Sequence, residues 1–239
     1  VFAFVTTIAI VVFFKAPKQQ CPGGAPEPSA VEASLHQQDM PCDKPQVVIA
    51  PSLWTRRPVV LALVGTFVLF LGFNIFFSSF PVYAEAGYGW SPGQLGTFFA
   101  ILAGVMMFAQ GPGLAFVSAR LSNPAVFALG VLFLAAALVV FYVAEGPFIY
   151  VGAILYALGN GIAWPTFQTR VAEVGGEEQG SVQGAAASAS SLASIGGLVV
   201  GGLLYPLFES QLFIAAAILF GVTALLTPVW FGTVGGGRS

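Results

Sequence analysis

Charge is what this 239-residue sequence has least of: Lys, Arg, Asp and Glu together make up 8% of it, eight basic and ten acidic residues. A soluble domain carries about 25% charged residues because its surface faces water. Cysteine is scarce too, with two residues, which excludes a secreted disulfide scaffold. One histidine, His36, leaves little for acid–base catalysis or metal binding. The net charge of −2 gives no support for a nucleic-acid surface, and no nucleic-acid partner is expected. What is abundant is apolar: 57% of residues, with 23 Phe and four Trp, far too many for a disordered chain. That balance defines an all-α polytopic membrane protein, with the lipid bilayer as its solvent.

A helix needs about 20 mostly apolar residues to cross a ~30 Å hydrocarbon core. Six stretches free of Asp, Glu, Lys and Arg meet that need: Pro58–Tyr83, Gln94–Ala119, Pro124–Ala144, Phe148–Phe167, Val182–Tyr205 and Leu212–Phe231. They are continuous, whereas barrel strands are shorter and alternate apolar with polar residues, so six transmembrane helices are expected. A seventh stretch, Val1–Phe14, is too short to cross and has no basic region or cleavage site beside it. It reads as the end of a truncated preceding transmembrane helix. Residues 15–55, rich in Pro, Gln, Glu and Ser, read as a flexible loop. Residues 56–234 then form the six-helix bundle and 235–239 a tail. Cys21, His36 and Cys42 lie apart in the loop without the paired spacing of a zinc site, so neither metal nor cofactor is expected.

Lys15, Lys18, Lys44, Arg56, Arg57, Arg120, Arg170 and Arg238 all fall in loops on one side of the six-span topology. Glu85, Glu145 and Glu209 fall on the other, where there is no basic residue. Basic loops stay cytoplasmic, so the central loop and the C-terminus are expected inside a plasma (cell inner) membrane.

The spans divide into two sets of three. Gly72-Phe73-Asn74 with Pro81 in the first span is echoed by Gly159-Asn160-Gly161 with Pro165 in the fourth, the asparagines lying 86 residues apart. Gln94-Leu95-Gly96 opens the second span as Gln183-Gly184 opens the fifth. Two three-helix units inserted in opposite orientation make an inverted repeat, a device of transporters. The third and sixth spans are nearly free of polar side chains and are expected outermost; the other four are expected to line the interior.

Asn74 and Asn160, each near mid-membrane, are candidates for substrate contact in a central cavity, with Gln110 as a further polar group. Phe77, Tyr156 and Trp164 would supply its stacking surface. The competing reading is hydrogen bonding between helices, worth about 1 kcal/mol or less per bond. Gly159, Gly161 and Pro165 weaken one helical ladder and are candidates for gating, against ordinary packing as the alternative. Gly196 and Gly197 offer a small surface for another helix, expected to come from an N-terminal six-helix half. No span holds Asp, Glu, His, Lys or Arg, so an enzyme is not expected, nor a buried proton carrier within these spans.

The fourth and fifth spans carry a family likeness in Gly159-Asn160-Gly161-Ile162-Ala163-Trp164-Pro165, Glu178-Gln179-Gly180-Ser181-Val182-Gln183-Gly184, Ile195-Gly196-Gly197 and Gly202-Leu203-Leu204-Tyr205. Trp90-Ser91-Pro92 before Gln94-Leu95-Gly96 agrees with it. In these residues the chain resembles the C-terminal half of a major facilitator superfamily transporter, nearest the tetracycline-resistance-protein-like branch of drug:proton antiporters. The resemblance implies helices 7–12 of a twelve-helix fold, with helices 7 and 10 lining the cavity and helices 9 and 12 outermost. It also implies a small-molecule substrate, protons as the coupling ion and alternating access. The branch's cytoplasmic signature normally includes an acid, which Gly113…Ser118-Ala119-Arg120 lacks. Its principal proton-carrying acids belong to the N-terminal half.

The expectation is therefore a multi-pass antiporter for efflux of small amphipathic or drug-like molecules. A sugar or metabolite carrier of the same superfamily is the alternative within the class, and a seven-helix receptor the alternative outside it. Proteolysis of sealed vesicles is expected to cut the 15–55 loop and the C-terminal tail from the same side; cleavage from opposite sides would point to the receptor.

Overall fold

The computed structural model describes residues 55–144 and 146–232. The expected helix end at 1–14, nearly all of the 15–55 loop with Cys21, His36 and Cys42, and the 235–239 tail lie outside them. Among the described residues every regular element is a helix. Helix α1 is Arg57–Tyr88, α2 Pro92–Phe108, α3 Asn123–Val143, α4 Ile149–Gly175, α5 Gln179–Leu203 and α6 Gln211–Leu225. Beyond Phe108, α2 continues through a π-helical turn, Ala109–Gly113, into Leu114–Ser118. Four stretches are long and apolar enough to cross a membrane: Arg57–Tyr88, Pro92–Ser118, Asn123–Val143 and Gly146–Leu203, the last containing both α4 and α5.

Local chemistry sets the boundaries. Pro58, Pro92 and Pro124 occupy first-turn positions, where a missing N–H costs no helical bond. Ser91 and Gln94 form a reciprocal capping box: Gln94 N–H donates to Ser91 Oγ at 3.4 Å and Ser91 N–H to Gln94 Oε1 at 2.8 Å. Helix α1 ends at Gly89, whose φ of 62° needs no Cβ to be accommodated. There Gly89 N–H bonds Glu85 O at 2.9 Å and Trp90 N–H bonds Ala84 O at 3.2 Å, satisfying carbonyls that the last turn would otherwise leave bare.

Two sequence expectations need correction. The sixth stretch is not one helix: α6 stops at Leu225 and a short helix, Thr227–Phe231, follows. Pro228 has no N–H to continue the ladder, and it interrupts the helix there. Arg170 is not in a turn either. Helix α4 runs on to Gly175, and Arg170 lies inside it, only 4% exposed. Its Nε donates to Trp230 O at 3.2 Å, its Nη1 pairs with Glu173 at 3.4 Å, and its guanidinium lies 5.7 Å from the Phe231 ring. A buried guanidinium is stable only when so partnered, and this one ties α4 to the segment after α6. At the same end Arg56 pairs with Glu178 at 3.0 Å, across an exposed surface.

Contact pairs give the helix directions. Residue numbers fall along α4 as they rise along α1, from Gly65 against Phe167 through Phe70 against Trp164 to Phe76 against Tyr156. The two helices are therefore antiparallel. So are α3 and α4, with Gly130 against Ala163 and Phe141 against Gly152. By the same test α5 runs parallel to α1, with Asn74 against Gly197 and Ser78 against Gly201, and α2 runs parallel to α4, with Phe98 against Tyr150 and Ala109 against Gly161.

The aromatic centre joins α1, α2, α3 and α4: Phe76 stacks on Tyr156 with centroids 4.0 Å apart, Phe80 on Phe98 at 4.2 Å, and Phe141 lies 5.1 Å from Phe76. Helix α3, expected outermost, buries Val126, Phe127, Val131, Leu134, Leu138 and Phe141. The open helices are α2, with Phe98 and Leu102 buried, and α5, whose buried residues are Val182, Ala186, Ala193, Gly197 and Gly201. The hydroxyls of Ser188, Ser190 and Ser191 bond carbonyls of their own helix, so these polar side chains are satisfied without a neighbouring helix.

The α3–α4 contact tests the packing. A Cβ at Gly130 would sit 2.7 Å from the Ala163 backbone nitrogen, which cannot move aside, while one at Gly221 meets nothing within 4 Å. Gly130→Val is expected to destabilise the protein by about 2 kcal/mol or more, and Gly221→Ala not to destabilise it, as read by unfolding in detergent.

Candidate functional site

The antiparallel register of α1 and α4 places Asn74 and Asn160 at the same depth, between the Phe70–Trp164 pair (4.8 Å) and the Phe77–Tyr156 pair (5.9 Å). Asn74 is half-buried. Its Nδ2 donates to Phe70 O at 2.8 Å and to Ser194 Oγ at 3.0 Å, and its carbonyl oxygen has no partner among the described residues. The inter-helix bond is thus present, and an acceptor is left over. Asn160 is 8% exposed. One turn before it on α4, the Tyr156 hydroxyl is buried with no hydrogen-bond partner among the described residues.

Phe77 is 37% exposed, and its ring lies 6.0 Å from Phe99 of α2. Trp164, partly buried, meets Phe70 edge-on. Asn74, Phe77, Tyr156, Asn160 and Trp164 therefore share one α1–α4 face. Gln110 stands apart, exposed on the π-helical turn of α2, with its backbone nitrogen 3.4 Å from where a Gly161 Cβ would be.

The glycines have definite neighbours. A Cβ on Gly159 would lie 2.7 Å from Gly130 O and 2.8 Å from Leu134 N, and one on Gly161 would lie 2.6 Å from Ala109 Cβ. Gly159 thus admits α3 and Gly161 admits α2. Gly197 admits α1, since its Cβ would come within 2.6 Å of Asn74 Cβ; Gly196 is looser, with Leu71 Cδ1 at 3.4 Å. Helix α4 is continuous through Pro165, which leaves the Gly161 carbonyl without its ladder donor.

Sequence reasoning missed the π turn and the α1–α5 seam. The signal for the first is Gln110-Gly111-Pro112-Gly113, a proline between glycines that interrupts an α-helical ladder. The seam is a ladder of small polar contacts: Asn74 to Ser194, Ser78 Oγ to Gly197 O at 3.3 Å, and Ser79 Oγ to Gly201 O at 3.3 Å. Its signal is the four-residue spacing of Ala193, Gly197 and Gly201 opposite Asn74, Ser78 and Ser79.

The described residues form a helical bundle, four of whose stretches are long and apolar enough to cross a membrane, with aromatic rings meeting between two antiparallel helices. The family model of the Major Facilitator Superfamily matches residues 1–198, and the chain belongs to that superfamily. It is accordingly a multi-pass membrane protein and a major-facilitator-type transporter of small molecules; members of this family are transporters, not enzymes. No curated protein matches the chain.

The Asn74–Ser194 bond is measurable in isolation. A double-mutant cycle with Asn74→Ala and Ser194→Ala, read by unfolding in mixed micelles, is expected to give a coupling of about 0.6–1.7 kcal/mol; a coupling of zero would remove this bond from the seam.

Proposed function

We propose that the chain supplies the C-terminal half of a drug:proton antiporter, its six helical segments forming two inverted three-helix units, with the central loop and C-terminus cytoplasmic in the plasma (cell inner) membrane. The pairing of helices supports the inverted layout. Exchanging α1 with α4, and α2 with α5, turns the parallel α1–α5 contact at Asn74 and Gly197 into the parallel α4–α2 contact at Gly161 and Ala109. The open faces of α2 and α5 are what an N-terminal half would cover.

The observation that carries the functional reading is the coincidence of Asn74 and Asn160 at one depth on two antiparallel helices, with an unpaired amide oxygen and an aromatic wall beside it. Such a surface suits small amphipathic molecules with a hydrogen-bond donor and an aromatic or aliphatic body. Asn74, Asn160, Tyr156, Phe77 and Trp164 are its contacts in this reading, with Gln110 entering from α2 in a different stage of the cycle. Gly159, Gly161 and Pro165 let α4 flex as the cavity changes its open side, and Gly196 and Gly197 are sliding contacts. No described acid lies at cavity depth, so proton carriage falls to acids outside these helices.

Uptake of a fluorescent drug panel into inverted vesicles containing the full-length protein tests this. A pH gradient is expected to drive uptake, and a protonophore to abolish it. Asn74→Ala and Asn160→Ala are each expected to lower the rate about tenfold, which corresponds to raising the barrier by about 1.4 kcal/mol, with membrane insertion intact. Unchanged rates in both variants would overturn the cavity assignment.

A further inference from the structure

The end of the bundle where Tyr83 and Tyr88 close α1 against α3 holds a cavity of about 450 Å³. It lies between the last turns of α1 and the segment that joins α5 to α6. Its walls include Val82 and Tyr83 of α1, then Tyr205, Pro206, Glu209 and Ser210, so it shares no residue with the α1–α4 face. Two of its polar groups lack partners. Tyr205 is 7% exposed and its hydroxyl bonds no described residue, yet that oxygen is not sealed in the core as those of Tyr156 and Thr227 are. Glu209 follows one turn later, with its N–H on Tyr205 O at 2.7 Å, and its carboxylate pairs with no described cation. Among the described residues this end carries Glu85 and Glu209 and neither Lys nor Arg, a field that concentrates cations.

The backbone holds Glu209 there against its own preference. Four described residues have positive φ: Gly89, Gly146, Gly176 and Glu209, the last at φ 46° and ψ −130°. That conformation strains any residue with a Cβ, and glycine would relieve it. Glycine would also take the carboxylate away from the cavity. One carboxylate and one phenol fall well short of the about six to eight oxygens that calcium takes. No group of three His, Cys, Asp or Glu gathers for a metal among the described residues. Two oxygen acceptors beside an apolar wall and an aromatic ring instead suit an ammonium that donates hydrogen bonds and carries an apolar body. We propose that this cavity binds a primary or secondary ammonium, its N–H groups donating to the Glu209 carboxylate and Tyr205 Oη while its apolar part lies against Val82, Pro206 and the Tyr83 ring. The site does not depend on the transport reading, and each stands if the other fails.

The test titrates phenethylammonium into full-length protein in phosphatidylcholine nanodiscs at low ionic strength, with binding read by calorimetry and stability by thermal unfolding. Wild type is expected to bind one equivalent. Glu209→Gln should weaken binding about tenfold and Tyr205→Phe about fivefold, each losing one hydrogen bond to a charged group. Glu209→Gly should weaken binding at least as much as Glu209→Gln while its Tm stays at or above that of wild type, a combination that misfolding cannot produce. Asn74→Ala, on the α1–α4 face, should bind as wild type does. Displacement of phenethylammonium by dioleoylphosphatidylethanolamine would support the site with a lipid headgroup as the ammonium source, and its persistence would support it with a free amine. Equal binding by wild type, Glu209→Gln and Tyr205→Phe would overturn the proposal. So would equal binding of uncharged 2-phenylethanol, which would leave only an apolar slot.

Discussion

Hydrocarbon offers a backbone no replacement for a lost hydrogen bond, and it offers apolar side chains no reason to leave it. The first fact makes every described element a helix. The second means that helices must be held together by contact distance and by a few polar bonds, not by flight from water. Close approach is accordingly concentrated where side chains are absent: Gly130 and Gly159 between α3 and α4, Gly161 between α4 and α2, Gly197 and Gly201 between α5 and α1. Bulk is placed where those approaches leave gaps, as with Phe167 over Gly65 and Phe220 over Gly72. The α1–α4 face inherits its geometry from these contacts, since the glycines next to Asn160 set how near α2 and α3 come to it.

The polar bonds have a division of labour. At mid-depth, Asn74, Ser78 and Ser79 bind α5 through one side chain and two backbone carbonyls, which fixes the level of α5 against α1. At one end, Tyr83 and Tyr88 donate to Phe141 O and Ala144 O and close the loop ends of α1 and α3 over the aromatic cluster. At the other, Arg170 holds Trp230 O. The ends are thus anchored by phenols and a guanidinium, and the middle by weaker amide and hydroxyl contacts. A bundle built that way has its firmest joints at the two surfaces.

Much of this is legible in the sequence. The helical class and helix positions α1 to α5 follow from run length and from the scarcity of charge, and the superfamily from the Gly159–Pro165 and Glu178–Gly184 segments. What is not legible has physical causes. Pro228 divides the last run, but a proline late in an apolar stretch can also be absorbed as a kink. Arg170 reads as a loop residue because an unpartnered arginine belongs in water; its partner, the carbonyl of Trp230, is a backbone atom 60 residues away that no side-chain pattern reveals. Ser188, Ser190 and Ser191 make α5 read as an interior helix, whereas their hydroxyls are bonded to carbonyls of their own helix. That α1 and α4 each place an asparagine in the spans is plain from the sequence, but Ser194 becomes a partner of Asn74 only once α5 is known to run beside α1.

The π-helical turn in α2 has an effect beyond its own five residues. A turn closed from i to i+5 carries one more residue than an α-turn, and each residue of an α-helix advances about 100° around the axis. The segment Leu114–Ser118 is therefore rotated by about that angle relative to the phase set by Pro92–Phe108. A stripe of residues drawn along α2 does not stay on one side of it: the azimuth that meets α4 at Ala109 passes to a different set of positions past Gly113. Helix α5, which has no such turn, keeps a single phase from Gln179 to Leu203, so the two open helices present faces that wind differently along their length.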